Sequence, residues 1–226
     1  MSIERRPFES LYVHVPFCHG KCDYCAFYSL GSYRRAEQEA YIHRILKEME
    51  ERSYECEALR SVFFGGGTPT ALEDDLFQRL LAGVRNHFRF ENDTEWTIES
   101  NPESLSEQKI AMMAEHGVTR VSMGIQSFNP HVRNYLGRRG NLDGLEKKVD
   151  LLRHAGIRHV NFDLIYNIPG QSVADFHDDL EKELSLNPDH LSAYALTVEE
   201  GTPLAKSRQS VNDEFFEDFW HLLDDF

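Results

Sequence analysis

The chain has 226 residues, enough for one large domain with a substantial core and too few for two full ones. Its 38 acidic residues outweigh 24 basic ones to give a formal charge of −14, which argues against a general binder of nucleic acid or of anionic membranes. The opening Met-Ser-Ile-Glu-Arg-Arg has no apolar signal core, and no apolar run approaches the roughly 18 residues of a membrane helix, so a cytoplasmic protein without an integral membrane segment is expected.

Elements are predicted in strict alternation. A β-rich run at 11–15 leads into a cysteine-rich loop, and a helical pattern follows at 36–52. Then come strand 61–64 and helix 74–88, strand 95–99 and helix 106–116, strand 120–123 and helix 142–154, strand 159–164 and helix 172–185, and a last strand at 191–196. Such alternation predicts parallel strands joined by right-handed crossovers, hence an α/β fold that is either a doubly wound sheet or a closed or partial (β/α) barrel. In barrels the chemistry gathers where strands end. The segment 212–226 sets Phe215, Phe216, Phe219, Trp220, Leu222 and Leu223 among acids after an Asn-Asp start. It is predicted as an amphipathic helix without a C-cap, as though the chain stopped inside an element.

Three of the four cysteines fall in His14-Val15-Pro16-Phe17-Cys18-His19-Gly20-Lys21-Cys22-Asp23-Tyr24-Cys25. In a reducing compartment such a cluster reads as a metal site rather than a disulfide framework. Three thiolates can hold three irons of a cubane and leave the fourth open to a chelating ligand. A zinc site is the alternative, with His14, His19 or Cys56 as a fourth ligand. His14 in an alternating strand and His19 beside Gly20 read better as packing or hydrogen-bonding histidines, and Cys56 as a bystander thiol. After the second strand, Gly65-Gly66-Gly67-Thr68-Pro69-Thr70 lets backbone approach a ligand closely, but no Gly-Lys-Ser/Thr follows and a phosphate-binding P-loop is unsupported.

The cysteine loop, the Gly65 to Thr70 turn, Ser122-Met123-Gly124-Ile125-Gln126-Ser127-Phe128, and Asp163-Leu164-Ile165-Tyr166-Asn167-Ile168-Pro169-Gly170-Gln171 occur in order. Ser192-Ala193-Tyr194 and Gly201-Thr202-Pro203 complete the series. Together they resemble the oxygen-independent coproporphyrinogen III oxidase family of radical S-adenosylmethionine (SAM) proteins. The resemblance implies a partial (β/α)6 TIM-like barrel, with residues 1–206 as the radical SAM core domain and 207–226 as the start of a truncated C-terminal region. It also implies a [4Fe-4S] cluster on Cys18, Cys22 and Cys25, with SAM chelating the fourth iron and cleaved to a 5′-deoxyadenosyl radical.

The family's SAM-contacting positions fall on Tyr12, Gly66, Glu99 and Arg138, with a further set at Tyr24, Gly67, Thr68, Gln126 and Asp163. The residue types are chemically suitable, since Arg138 can fork onto a carboxylate while Glu99, Gln126 and Asp163 can accept from hydroxyls or an ammonium. Taken singly, Tyr12 and Tyr24 read as packing aromatics, Arg138 as a solvated charge and Glu99 as a partner of a helix N-terminus.

Family members that decarboxylate coproporphyrinogen III carry a fourth cysteine two residues beyond the third, where this chain has Phe27. Cys25-Ala26-Phe27 is similar instead to the heme-chaperone branch, called HemW, which shares the cluster and SAM site and passes heme to other proteins. The expected function is heme binding and delivery, with SAM, heme, an electron donor and a recipient hemoprotein as partners. The alternative is an oxygen-independent coproporphyrinogen III dehydrogenase acting on a porphyrinogen. No residue is assigned as catalytic. Asn167 stands where relatives have glycine, and asparagine tolerates the left-handed backbone that such a turn needs.

Overall fold

Each strand separates two kinds of side chain. On β1 (Phe8–Val15), Val13 and Val15 are buried while Tyr12 and His14 point to the opposite face, the period-two alternation of a sheet with one packed side. The computed structural model describes residues 7–207 and 216–224. Over them run α1 (Arg35–Arg52), β2 (Cys56–Gly66), α2 (Asp74–His87), β3 (Phe90–Ser100), α3 (Glu107–Glu115), β4 (Arg120–Gln126), α4 (Pro130–Tyr135) and α5 (Leu145–His154). β5 (His159–Tyr166), α6 (Val173–Ser185), β6 (His190–Ala195), α7 (Pro203–Lys206) and α8 (Phe216–Asp224) complete the order.

All five strand pairings are parallel, and the spatial order is β1-β2-β3-β4-β5-β6. A doubly wound sheet reverses its strand order part-way. This one never does, which selects the barrel alternative, and β1 and β6 do not pair with each other, so the barrel is partial and open. The main core lies between the sheet's outer face and the helices. Val62, Phe64, Trp96, Ile98, Val121 and Phe162 meet Ile42, Leu76, Leu80 and Leu152 there, all essentially inaccessible to solvent. At ~1.5–3 kcal/mol for each large apolar side chain buried, this layer supplies most of the drive to fold. The inner face is polar instead, with Thr97, Glu99, Ser122, Asn161 and Asp163 on the side of the strands opposite to that core.

Local signals fix the helix ends. Ser106 accepts from the Lys109 amide at the start of α3, and Ser172 with Asp175 forms a reciprocal capping box on α6. The Asn167 backbone is left-handed at φ 59°, as its turn requires.

Several boundaries differ from the sequence reading. β2 and β3 begin earlier, at Cys56 and Phe90, because their first residues extend the ladder beyond the core, where exposed polar side chains erase the apolar pattern. α4 has only six residues, too short for helical periodicity to register. The last helix is described from Phe216, while the Asn-Asp start assigned to it lies outside the described residues. Phe219 on α8 is buried against Tyr166 and Phe176. Among the described residues no helix is long and apolar enough to cross a membrane.

Glu183 on α6 is an anomaly in the core: it is fully buried and neither carboxylate oxygen has a partner. Burial, with Asp179 one turn earlier, pushes its pKa up to about 9. Between the ordinary glutamate value and about 9 the folded chain holds a proton that the unfolded chain has released, so stability falls as pH rises through that window. Glu183→Met is expected to stabilise the fold, by more at pH 9 than at pH 5, in urea titrations at both pH values. Leu80→Ala, which empties a fully buried site, is expected to cost ~2–5 kcal/mol in the same assay.

Candidate functional site

The end of β1 runs directly into the cysteine loop, and backbone hydrogen bonds shape that loop. Cys18 N–H donates to Leu30 O at 3.0 Å and Leu30 N–H to Pro16 O at 2.8 Å, closing its neck. Phe17 anchors the neck in the core, edge-on to Tyr33 and Tyr41 with centroids 5.0 and 5.5 Å away. Farther round, Asp23 N–H donates to Leu136 O and Leu204 N–H to Asp23 O, tying the loop to α4 and α7. Cys25 N–H turns back onto Cys22 O.

The glycine turn after β2 is stitched to this loop. Gly67 N–H donates to Val15 O at 2.8 Å and Thr68 N–H to Phe17 O at 2.7 Å. A Cβ on Gly67 would stand 2.7 Å from Phe17 O and 2.8 Å from Val15 O, so only glycine fits. At Gly66, φ is +104° and a Cβ would meet the His14 ring at 2.5 Å. Thr68 Oγ1 reaches Cys18 Sγ at 3.6 Å.

Side chains from the next three strands and the loop after α4 complete the wall. Glu99, at the end of β3, accepts from Gly66 N–H at 3.2 Å. Burial pushes its pKa up to about 7, the Asp163 carboxylate adds to the rise, and the Gly66 hydrogen bond opposes it. Asp163 is also raised by burial, against hydrogen bonds from Asn161, Ser192 and Ser122. Gln126 ends β4 with φ 70°, a left-handed conformation rare for its residue type. The Arg138 guanidinium donates to Cys22 Sγ at 3.5 Å, to Asn101 Oδ1 at 2.8 Å and to Gly124 O, while its buried Nε has no partner.

Cys18, Cys22, Cys25, Tyr24, Gly66, Gly67, Thr68, Glu99, Gln126, Arg138 and Asp163 therefore line one cavity, drawn from positions up to 145 residues apart. Tyr12 does not join them. It sits on β1 in a separate groove, half-exposed, stacked on Phe63 and sharing a hydrogen bond with His14. Lys21, Asn101, Ser122 and Gly124 also line the cavity, although the sequence reading assigned them no role. Ser122 and Gly124 share the strand face of Gln126 at period two, and Asn101 directly follows a strand end, so position alone could have flagged them.

His14 bonds Tyr28 O through Nε2 at 3.0 Å and the Tyr12 hydroxyl through Nδ1, the hydrogen-bonding role expected of it. His19 is exposed, and Cys56 lies at the opposite end of β2. Beside Cys25 a second, more apolar hollow opens between Phe27, Ile165, Tyr194 and Leu196, sharing Tyr24, Cys25, Phe27, Glu99, Gln126 and Asp163 with the first.

Comparison with known proteins decides the family. The Radical SAM superfamily profile matches residues 12–182. The chain belongs to the radical SAM superfamily. It is 33% identical over 211 residues to the heme chaperone HemW of Haemophilus influenzae, covering 91% of this chain and 55% of that protein. It is 34% identical over 208 residues to an anaerobic coproporphyrinogen III oxidase of Cereibacter sphaeroides, covering 91% of this chain and 45% of that protein. In structure it resembles coproporphyrinogen III oxidase (HemN) of Escherichia coli, described as a radical SAM enzyme. The TM-score is 0.84 at 28% identity, over 97% of this chain and 53% of that one. The chain thus spans about half the length of the curated relatives it matches.

Radical SAM membership implies a [4Fe-4S] cluster and SAM, and the cavity fits both. Cys18, Cys22 and Cys25 are all free thiols lining this one cavity, a donor set that can hold three irons of a cubane and leave the fourth open. The buried, unpartnered Arg138 Nε offers a donor to a polar ligand alongside. Gly67→Ala is expected to force the glycine turn away from the cysteine loop. It should cost ~1–3 kcal/mol in chemical denaturation and lower the iron content after anaerobic reconstitution.

Proposed function

We propose that residues 1–206 are the radical SAM core of a HemW-like heme chaperone and that 207–226 begin its C-terminal region. Cys18, Cys22 and Cys25 would ligate the [4Fe-4S] cluster. Tyr12, Tyr24, Gly66, Gly67, Thr68, Glu99, Gln126, Arg138 and Asp163 would contact SAM, Tyr12 from the rim, where the Glu99 charge reaches its hydroxyl. When bound, the cluster supplies an electron and an open iron for SAM. Arg138 holds a fixed cation beside Cys22 and offers a free donor to a carboxylate. Glu99, with a pKa of about 7, and Asp163 present acceptors to hydroxyls or an ammonium.

One observation carries the chaperone reading. Phe27, two residues past Cys25, is 72% exposed on the wall of the apolar hollow, where coproporphyrinogen-oxidising relatives are expected to have a cysteine. A phenyl ring adds surface for a flat apolar ligand and cannot ligate iron or carry a proton. The heme chaperones among the matched relatives, at 33–35% identity, support the same assignment. The protein would work in the cytoplasm with heme as cargo, an electron donor and a recipient hemoprotein as partners.

The similarity to coproporphyrinogen oxidases supports a second reading, oxidative decarboxylation of coproporphyrinogen III to protoporphyrinogen IX. Titration of the full-length protein with heme is expected to give stoichiometric binding with a saturating absorption change. No heme binding, together with porphyrinogen consumed in step with SAM cleavage, would reverse the assignment. For the cluster, Cys22→Ala is expected to abolish the brown chromophore after anaerobic reconstitution, and Cys56→Ala to leave it intact.

A further inference from the structure

Arg133 on α4 lies outside the cavity wall, with 7% of its surface exposed. Its Nη1 donates to Ile125 O and to Ser127 O, the carbonyls on either side of Gln126. Its Nη2 donates to Gly140 O, two residues beyond Arg138. One planar guanidinium therefore fastens both the end of β4 and the segment after α4. These are the two pieces of backbone that bring Gln126 and Arg138 to the cavity.

Both pieces need fastening. Gln126 holds a left-handed backbone at φ 70°, a strained conformation for a non-glycine residue that persists only when its surroundings impose it. Asp179 on α6 grips the following residues, accepting from Ser127 Oγ at 2.5 Å and Phe128 N–H at 2.7 Å, so Gln126 is clamped from two sides. Arg138 lies on a turn that starts at Gly137, φ +68°, and its own side chain returns to Gly124 O on β4. The loop of bonds from β4 through Arg133 to Gly140 and back through Arg138 is closed.

A buried guanidinium bonded to three main-chain carbonyls is costly unless its geometry serves a purpose, since burial opposes the charge and carbonyls only partly replace water. Lysine could not reproduce the arrangement, because a single ammonium cannot span carbonyls on two separate segments as a planar fork does.

We propose that Arg133 is a positioning residue for SAM, setting Gln126 and Arg138 in register without touching the ligand; this rests on the SAM site proposed above. The test uses the full chain, reconstituted anaerobically, as wild type, Arg133→Met and Arg133→Lys. Iron per chain, SAM affinity by calorimetry, and the electron paramagnetic resonance spectrum of the reduced cluster with and without SAM are measured. Arg133→Met is expected to keep its iron while binding SAM roughly tenfold or more weakly, the range typical of lost supporting contacts. The spectral change on adding SAM should shrink with it, and Arg133→Lys should fall between the two.

A variant with full iron, wild-type SAM affinity and an unchanged spectral response would overturn the proposal. Should Arg133→Met lose iron through misfolding, Arg133→Lys decides: weaker SAM binding at full iron supports the role, and unchanged binding sinks it. If the wild type itself holds its cluster but neither binds SAM nor responds to it, the SAM-site reading fails, and the role of Arg133 falls with it. An unaltered variant beside a responsive wild type rejects the positioning role alone.

Discussion

Two backbone hydrogen bonds, Gly67 N–H to Val15 O and Thr68 N–H to Phe17 O, carry the β1–β2 ladder past the ends of the strands and into the loops that follow. Because the ladder continues, the cysteine loop and the glycine turn cannot move independently. The height of Cys18 above the sheet is set by Phe17, whose ring is fixed in the core, and Thr68 arrives beside the Cys18 sulfur as a consequence. The neck bonds between Pro16, Cys18 and Leu30 then return the loop to its origin. Thiols presented in this way are organised by ordinary sheet geometry before any metal arrives, which lowers the entropy lost on assembling a site.

That rigidity lets the cavity concentrate charges that would otherwise repel. Glu99 and Asp163 stand on strands either side of β4, both are made harder to ionise by burial, and the Asp163 charge adds to the cost for Glu99. Asp163 is supported by Asn161 and Ser122, whose amide and hydroxyl donate to it at 2.8–3.3 Å. Glu99 has only the Gly66 amide to set against its burial and the Asp163 charge, which together push its pKa up to about 7. Arg138 brings a compensating cation to the same cavity, bonded to Gly124 O and Asn101 and next to Cys22. A ligand carrying both a carboxylate and an ammonium would find a partner for each end, and an ammonium beside Glu99 would draw that group toward its ionised form.

The sequence made most of this arrangement readable because the determinants are local and periodic. Six apolar runs separated by helical patterns specify parallel strands, and the motif resemblance then placed Glu99, Gln126 and Asp163 among residues at or near the strand ends. The alternation alone left a doubly wound sheet and a barrel open, since they differ only in strand order, and the motif resemblance pointed to the partial barrel that the strand order bears out. The extended starts of β2 and β3 were hidden by polar side chains that face solvent. Arg133 escaped notice for another reason: it acts through bonds to distant backbone, and no spacing along the chain encodes such a partner. Tyr12 shows the converse, a position suggested by resemblance that stands on the correct strand face yet outside the cavity wall.

The cavity and the apolar hollow beside it share Tyr24, Cys25, Phe27, Glu99, Gln126 and Asp163, so one set of side chains faces two different environments. Cys25 stands at the boundary, and the chain continues from it through Ala26 to Phe27. A thiol at residue 27 would extend the reactive surface into the hollow. A phenyl ring, mostly exposed and unable to exchange protons or electrons, instead makes the hollow a place where apolar area is gained by covering it. Phe27 itself lines both spaces, so the apolar surface and the thiol cavity meet at that residue rather than being walled off from each other.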